Sequence, residues 1–184
     1  MSPSTPLLLL TAALLLSLAA GADQTDQRLA PLFETLRTTG DPAAAQAAES
    51  QIWQIWMDSG DSAIDGLMME GVRAMSSGRQ EDAITIFGEI TERAPGFAEG
   101  WNKRATAYYL NDDFVASVRD IQTTLALEPR HFGAISGMGL IFLSRGDETG
   151  ALAAFEAAVA IHPNSPGARQ RIEELRKRAL ERGA

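Results

Sequence analysis

Pro95, Pro129 and Pro163 stand 34 residues apart, and no other feature of the chain constrains its fold so tightly. Taking each proline as position 32 of a repeat divides the middle of the chain into 64–97, 98–131 and 132–165, without insertion or deletion. Position 8 is then Gly71, Ala105 and Gly139, and position 20 is Ala83, Ser117 and Ala151. Position 24 is bulky (Phe87, Ile121, Phe155), as is position 4 (Leu67, Trp101, Ile135). Small residues at two fixed positions let a pair of antiparallel helices approach closely, and the bulky ones fill the space beside that contact. Between them lie Ser77-Gly78, Asn111-Asp112-Asp113 and Arg145-Gly146-Asp147, chemistry that stops one helix and starts the next. Proline closes each second helix, because it lacks a backbone donor and crowds the preceding turn. One such hairpin cannot bury its apolar face alone. The pattern therefore predicts an all-α solenoid of stacked helix hairpins.

Trp101, Ala105, Tyr108, Ser117, Ile121 and Pro129, followed by Ile135, Met138-Gly139, Phe142, Ala151, Phe155, Ala158 and Pro163, resemble the tetratricopeptide repeat pattern. The resemblance covers about 100 residues. It implies a right-handed solenoid that binds a protein or peptide, without enzymatic activity or cofactor. The chain is also similar to small envelope proteins of this family from Gram-negative bacteria, especially across Trp101 to Ala134. In the family the first helix of each repeat lines the concave face. Carried over, that face comprises Asp65, Met68, Val72 and Met75, then Glu99, Asn102, Thr106 and Tyr109, then Gly133, Ser136, Leu140 and Leu143. The family's clamp for a peptide carboxylate needs Lys, Arg and Asn there, and only Asn102 and Lys103 offer themselves. The mostly apolar set instead implies an amphipathic helix or an apolar extended segment as ligand.

Residues 1–22 contain no Asp, Glu, Lys or Arg, and the apolar run from Leu7 to Ala20 ends in Ala20-Gly21-Ala22. This is the layout of a cleavable secretory signal, with cleavage expected after Ala22. No basic residue precedes the run, so a retained membrane anchor is the alternative. Fourteen of the sixteen basic residues are Arg, Ala and Gly are abundant, and there is no cysteine. Together these features point to a GC-rich bacterial source and a periplasmic protein with neither lipid anchor nor thiol chemistry. A net charge of −8 argues against a nucleic-acid partner, which would require a basic face.

Both ends of the repeat array depart from the period. Residues 23–63 read as a degenerate hairpin whose second helix, about Ala43 to Asp58, should be roughly one turn longer than its counterparts. That helix carries Trp53 and Trp56 on one face. They either pack under the first repeat as a cap or form an exposed patch that docks a partner or a lipid headgroup. Residues 166–184 read as an amphipathic capping helix with Ile172, Leu175 and Ala179 on one stripe. Charge is divided likewise, acidic from Asp41 to Glu70 and basic from Arg169 to Arg182.

Position 7 breaks the pattern inside the array, with Glu70, Arg104 and Met138. A half-buried charge requires a partner, so a structural Arg104–Asp120 pair is expected, with Glu70 as a third member. The two histidines, His131 and His162, lack metal-ligand spacing and are expected in solvated loops between repeats. No nucleophile elbow or phosphate loop is present, so neither a catalytic nor a metal site is assigned. The leading expectation is a periplasmic protein- or peptide-binding scaffold. The alternative is a membrane-associated structural subunit held by its N-terminal segment or by the Trp53/Trp56 helix.

Overall fold

The computed structural model describes residues 24–183, so the expected signal segment lies outside it. Nine helices and no strand occur among the described residues: α1 Leu29–Thr38, α2 Pro42–Trp56, α3 Ser62–Ser76, α4 Gln80–Arg93, α5 Ala98–Leu110, α6 Phe114–Leu127, α7 Phe132–Ser144, α8 Glu148–Ile161 and α9 Pro166–Gly183. The chain is an α-solenoid in which α3 to α9 each pack on the next.

The hairpin turns are built identically. Gly78, Asp112 and Gly146 occupy the same repeat position with φ of 74°, 58° and 76°, a left-handed conformation that glycine adopts freely and Asp tolerates. The following N–H groups, of Arg79, Asp113 and Asp147, reach back to the carbonyls of Ala74, Tyr108 and Phe142, closing each first helix. Asp113 and Asp147 then cap the second helices, accepting from the N–H groups of Ala116 and Gly150.

Size complementarity fixes the helix approach. Where position 24 is Phe, position 8 must be Gly: a Cβ on Gly71 would stand 2.4 Å from Phe87, and one on Gly139 would stand 2.9 Å from Phe155. The middle repeat has the smaller Ile121 and accordingly accepts Ala105. There Ser117 also donates from its hydroxyl to the Ala105 carbonyl at 2.8 Å. At the C-terminal end α9 buries Ala168, Ile172 and Leu175 against α8, whereas Leu180 and the last turns are exposed.

The N-terminal hairpin behaves differently from the sequence expectation. Helix α2 has 15 residues against 14 in α4, α6 and α8, so the surplus chain is not an extra turn. Most of it forms the link 57–61, where Gly60 has a φ of 75°. That link swings α1–α2 out of the stack. Only Met57 joins the core of α3 and α4, while α1 reaches α8 at the far end of the array.

This arrangement explains Glu70, which does not join the Arg104 pair. In the second repeat, position 3 (Gly100) faces the preceding helix so closely that a Cβ would lie 2.7 Å from Ile90. The equivalent Gly66 has nothing within 4 Å. Among the described residues no helix stacks on that side of α3, and Glu70 is exposed there without need of a partner.

Candidate functional site

The hairpin settles on the inner side of the solenoid, over the start of α7. Phe33, Ile52 and Trp56 share one core with Phe132. Trp56 is 1% exposed and stacks flat on His131, with ring centroids 4.1 Å apart and an interplanar angle of 9°. Trp53 meets Phe132 edge-on at 5.5 Å and lies under the Lys103 ammonium at 5.5 Å. Neither tryptophan packs under the first repeat, and Trp56 is not part of an exposed docking patch. Both are drawn away by the larger aromatic surface offered by Phe132 and His131. Gly133 is small for the same reason, since its Cβ would lie 2.7 Å from Trp53.

Beneath the tryptophans lies a buried polar cluster. The Nδ1 of His131 accepts from the Ala134 N–H at 3.1 Å and caps α7. A ring that accepts at Nδ1 carries its proton at Nε2, which points at Glu99 Oε2 at 2.8 Å. Asn102 donates to the same oxygen at 3.0 Å, and the Lys103 ammonium stands 2.9 Å from Oε1. Burial pushes the Glu99 carboxyl upward, but Lys103 and the His131 bond outweigh it and hold the group below the ordinary carboxylate range. His162 is buried too, edge-on to Phe132, with Glu49 of α2 at 3.2 Å. Neither histidine lies in a solvated loop, because the hairpin covers both. The alternation of Trp, His and Phe gave no sequence signal for this, since its members lie about 80 residues apart and outside the repeat register.

The carried-over concave residues therefore divide into two groups. Glu99 is sealed under the hairpin, and Met68 is buried in the core of α3 and α4. Asp65 is engaged locally, accepting at 2.7 Å from the Ser59 hydroxyl. Val72 and Met75 pack partly into that same core. Asn102, Thr106, Tyr109, Gly133, Ser136 and Leu140 do come together, with Ala105, Ile121 and Gly137, around a groove of about 170 Å³ between α5 and α7. Its α7 wall carries small residues at Gly133, Ala134, Ser136 and Gly137 beside Leu140, and Trp53 closes over Gly133. Thr106 donates to the Asn102 carbonyl at 2.9 Å, and Tyr109 meets the Ser144 hydroxyl at 3.4 Å. Leu143 packs instead with the α7–α9 core.

Arg104 sits outside the groove. It grips Asp120 through Nε at 2.6 Å and Nη2 at 2.9 Å, a bidentate pair, and donates a third bond to Thr91 at 2.7 Å. The carboxylate raises the guanidinium's affinity for its proton, against the opposing effect of burial. Its bonding face is thus committed to the chain. No group of three or more His, Cys, Asp or Glu side chains that could hold a metal ion occurs among the described residues.

Comparison with known proteins accords with this architecture. The tetratricopeptide repeat family profile matches residues 111–166. A TPR repeat-containing protein of Rhizobium etli is 35% identical over 149 residues, covering 81% of this chain and 73% of that protein. Among solved structures, the Sgt2 TPR domain from Aspergillus fumigatus superposes with a TM-score of 0.62 at 23% identity, over 67% of this chain and 83% of that one. The first TPR of Spaghetti (RPAP3), bound to the HSP90 peptide SRMEEVD, superposes at 0.60 with 20% identity, over 65% and 96%.

Proposed function

The chain belongs to the tetratricopeptide repeat family, and from that premise we propose that it is a non-enzymatic periplasmic scaffold holding an apolar protein segment in the groove between α5 and α7. The observation that carries the proposal is the groove itself. It lies on the inner face beside the N-terminal hairpin, where Trp53 closes over Gly133 and the remaining wall is formed by Thr106, Tyr109, Ser136 and Leu140. An acidic peptide tail, such as the one on the RPAP3 domain, fits this chain poorly. Its two candidate clamp residues are already engaged, Lys103 with Glu99 and Trp53, and Asn102 with Glu99. Leu140, Ile121 and Ala105 favour apolar side chains instead, with Thr106 and Ser136 as polar guides.

The test is affinity capture from periplasmic extract with the purified protein and a Ser136→Trp variant that fills the groove. Captured partner should fall roughly tenfold with the variant while the helical spectrum is unchanged. Equal capture would remove the groove from the reading. Periplasmic placement rests on the 1–22 segment and is tested by fractionation with N-terminal sequencing. A soluble protein beginning at Asp23 is the expected result, and an intact N-terminus in the membrane fraction would overturn it. The Trp56 ring is buried against His131 and Trp53 is half-buried beside it, which favours the soluble reading over attachment through that helix.

A further inference from the structure

The opposite face of α7 carries a second groove, between α6 and α7, of about 420 Å³. Val115, Val118, Met138 and Phe142 form its apolar surface, and Arg119 and Arg145 stand at its edges. We propose that this groove docks an amphipathic helix of a partner protein, apolar along one stripe and flanked by carboxylates.

Three observations support the assignment. The first is that the solenoid does not require an apolar residue at every one of these positions, since only Val115 and Met138 replace charged equivalents. At the preceding junction the same repeat positions hold Glu81, Ile84, Arg104 and Tyr108, and Arg104 is consumed by its bonds to Asp120 and Thr91. The second is exposure. Val115 is 59% exposed, one of four large hydrophobic side chains left so open, and it adjoins the groove rather than standing alone. The third is charge. Of the sixteen basic side chains, all but Arg73, Arg119, Arg145 and Arg169 lie within 4 Å of a carboxylate among the described residues. Two of those four flank this one groove, in a chain whose net charge is −8. Unpaired guanidinium groups beside an apolar trough supply attraction and orientation for carboxylates on an incoming helix.

The test uses two labelled helical peptides with the same leucine stripe, one flanked by Glu and one by Lys, titrated into the full chain at low salt. The Glu peptide should bind about tenfold tighter than the Lys peptide. Val115→Asp, or Arg119→Glu with Arg145→Glu, should remove that preference without changing the thermal midpoint appreciably, since all three side chains are exposed. Ser136→Trp should leave it intact, which separates this groove from the one on the inner face. Equal binding of the two peptides, or binding indifferent to the arginine reversals, overturns the proposal. A concentration-dependent dimer in sedimentation that the same reversals dissolve would overturn the assigned occupant, identifying a second copy of the chain instead.

Discussion

The two ends of the array meet the same physical problem and resolve it in different ways. At the C-terminus α9 lies where the first helix of another repeat would lie and covers the apolar face of α8 with Ala168, Ile172 and Leu175. Its outer side pairs with the chain itself, Arg176 with Glu156 and both Arg178 and Arg182 with Glu148. The basic end is therefore largely an internally balanced surface. At the N-terminus α2 does not stack on α3. The outer side of α3 presents Gly66, Met69, Glu70 and Arg73, where Met69 is a lone large apolar side chain beside two charges. Phe33, Trp53 and Trp56 find more aromatic surface against Phe132 and His131, so the hairpin crosses to the inner face. Adjacency in sequence decides less than the area available for burial.

The largest expected effect tests the hairpin seat. Trp56→Ala removes a fully buried indole whose stacking partner is His131, and such changes cost about 3–5 kcal/mol. Because the hairpin contacts the array mainly through this cluster, the loss should be local. Amide exchange should accelerate across α1 and α2, and protease should cut the 57–61 link, while α3 to α9 remain protected. Uniform acceleration along the whole chain would show that the hairpin is integral to the stack. Leu175→Ala in α9 should cost less, about 2 kcal/mol, because a terminal helix can settle into the space. Its cost should spread through the stacked repeats and lower the main thermal transition. A change confined to α9 would contradict that.

The array was legible because each helix contact repeats at a fixed spacing, so Gly71 with Phe87 and Gly139 with Phe155 can be read from one pattern. The Arg104–Asp120 pair was legible for the same reason, as both lie within one hairpin at conserved register. The hairpin seat was not. Trp56 and His131 belong to different registers, and nothing local in 57–61 states which way the chain turns. The groove was half legible. The register placed Asn102, Thr106, Tyr109, Ser136 and Leu140 on one face, but only the tertiary path of α2 reveals that Glu99 is covered.

A smaller effect distinguishes the ends by pH. Folding lowers the carboxyl pKa of Glu99, so the stability it contributes is present above its ordinary value of 4.5 and is lost as pH falls through the folded value. Glu99→Gln should flatten that acid limb by about 1–2 kcal/mol between pH 6 and pH 3, and the flattening should persist in high salt because the carboxylate is buried. The Glu148 carboxyl, which Arg182 likewise holds low, is exposed on the α8–α9 side, and salt should erase its contribution. An acid limb identical in the wild type and Glu99→Gln would dissociate the buried cluster from acid unfolding.

The smallest effect, at Gly66, is the sharpest test of where α2 lies when set against its equivalent at Gly100. Gly66 and Gly100 occupy the same repeat position on α3 and α5. A methyl group on Gly100 would stand 2.7 Å from Ile90, a fully buried side chain with little freedom to yield. Gly100→Ala should therefore destabilise by about 1–3 kcal/mol. The same change at Gly66 meets no atom within 4 Å and removes a flexible residue from a helix interior. Gly66→Ala should stabilise by roughly 0.5–1 kcal/mol, raising the chemical-denaturation midpoint without changing its slope. The two substitutions thus carry opposite signs only if no helix stacks on α3. Destabilisation at both positions would place α2 in the array, as a preceding repeat would lie, and would undo the contrast between the two ends.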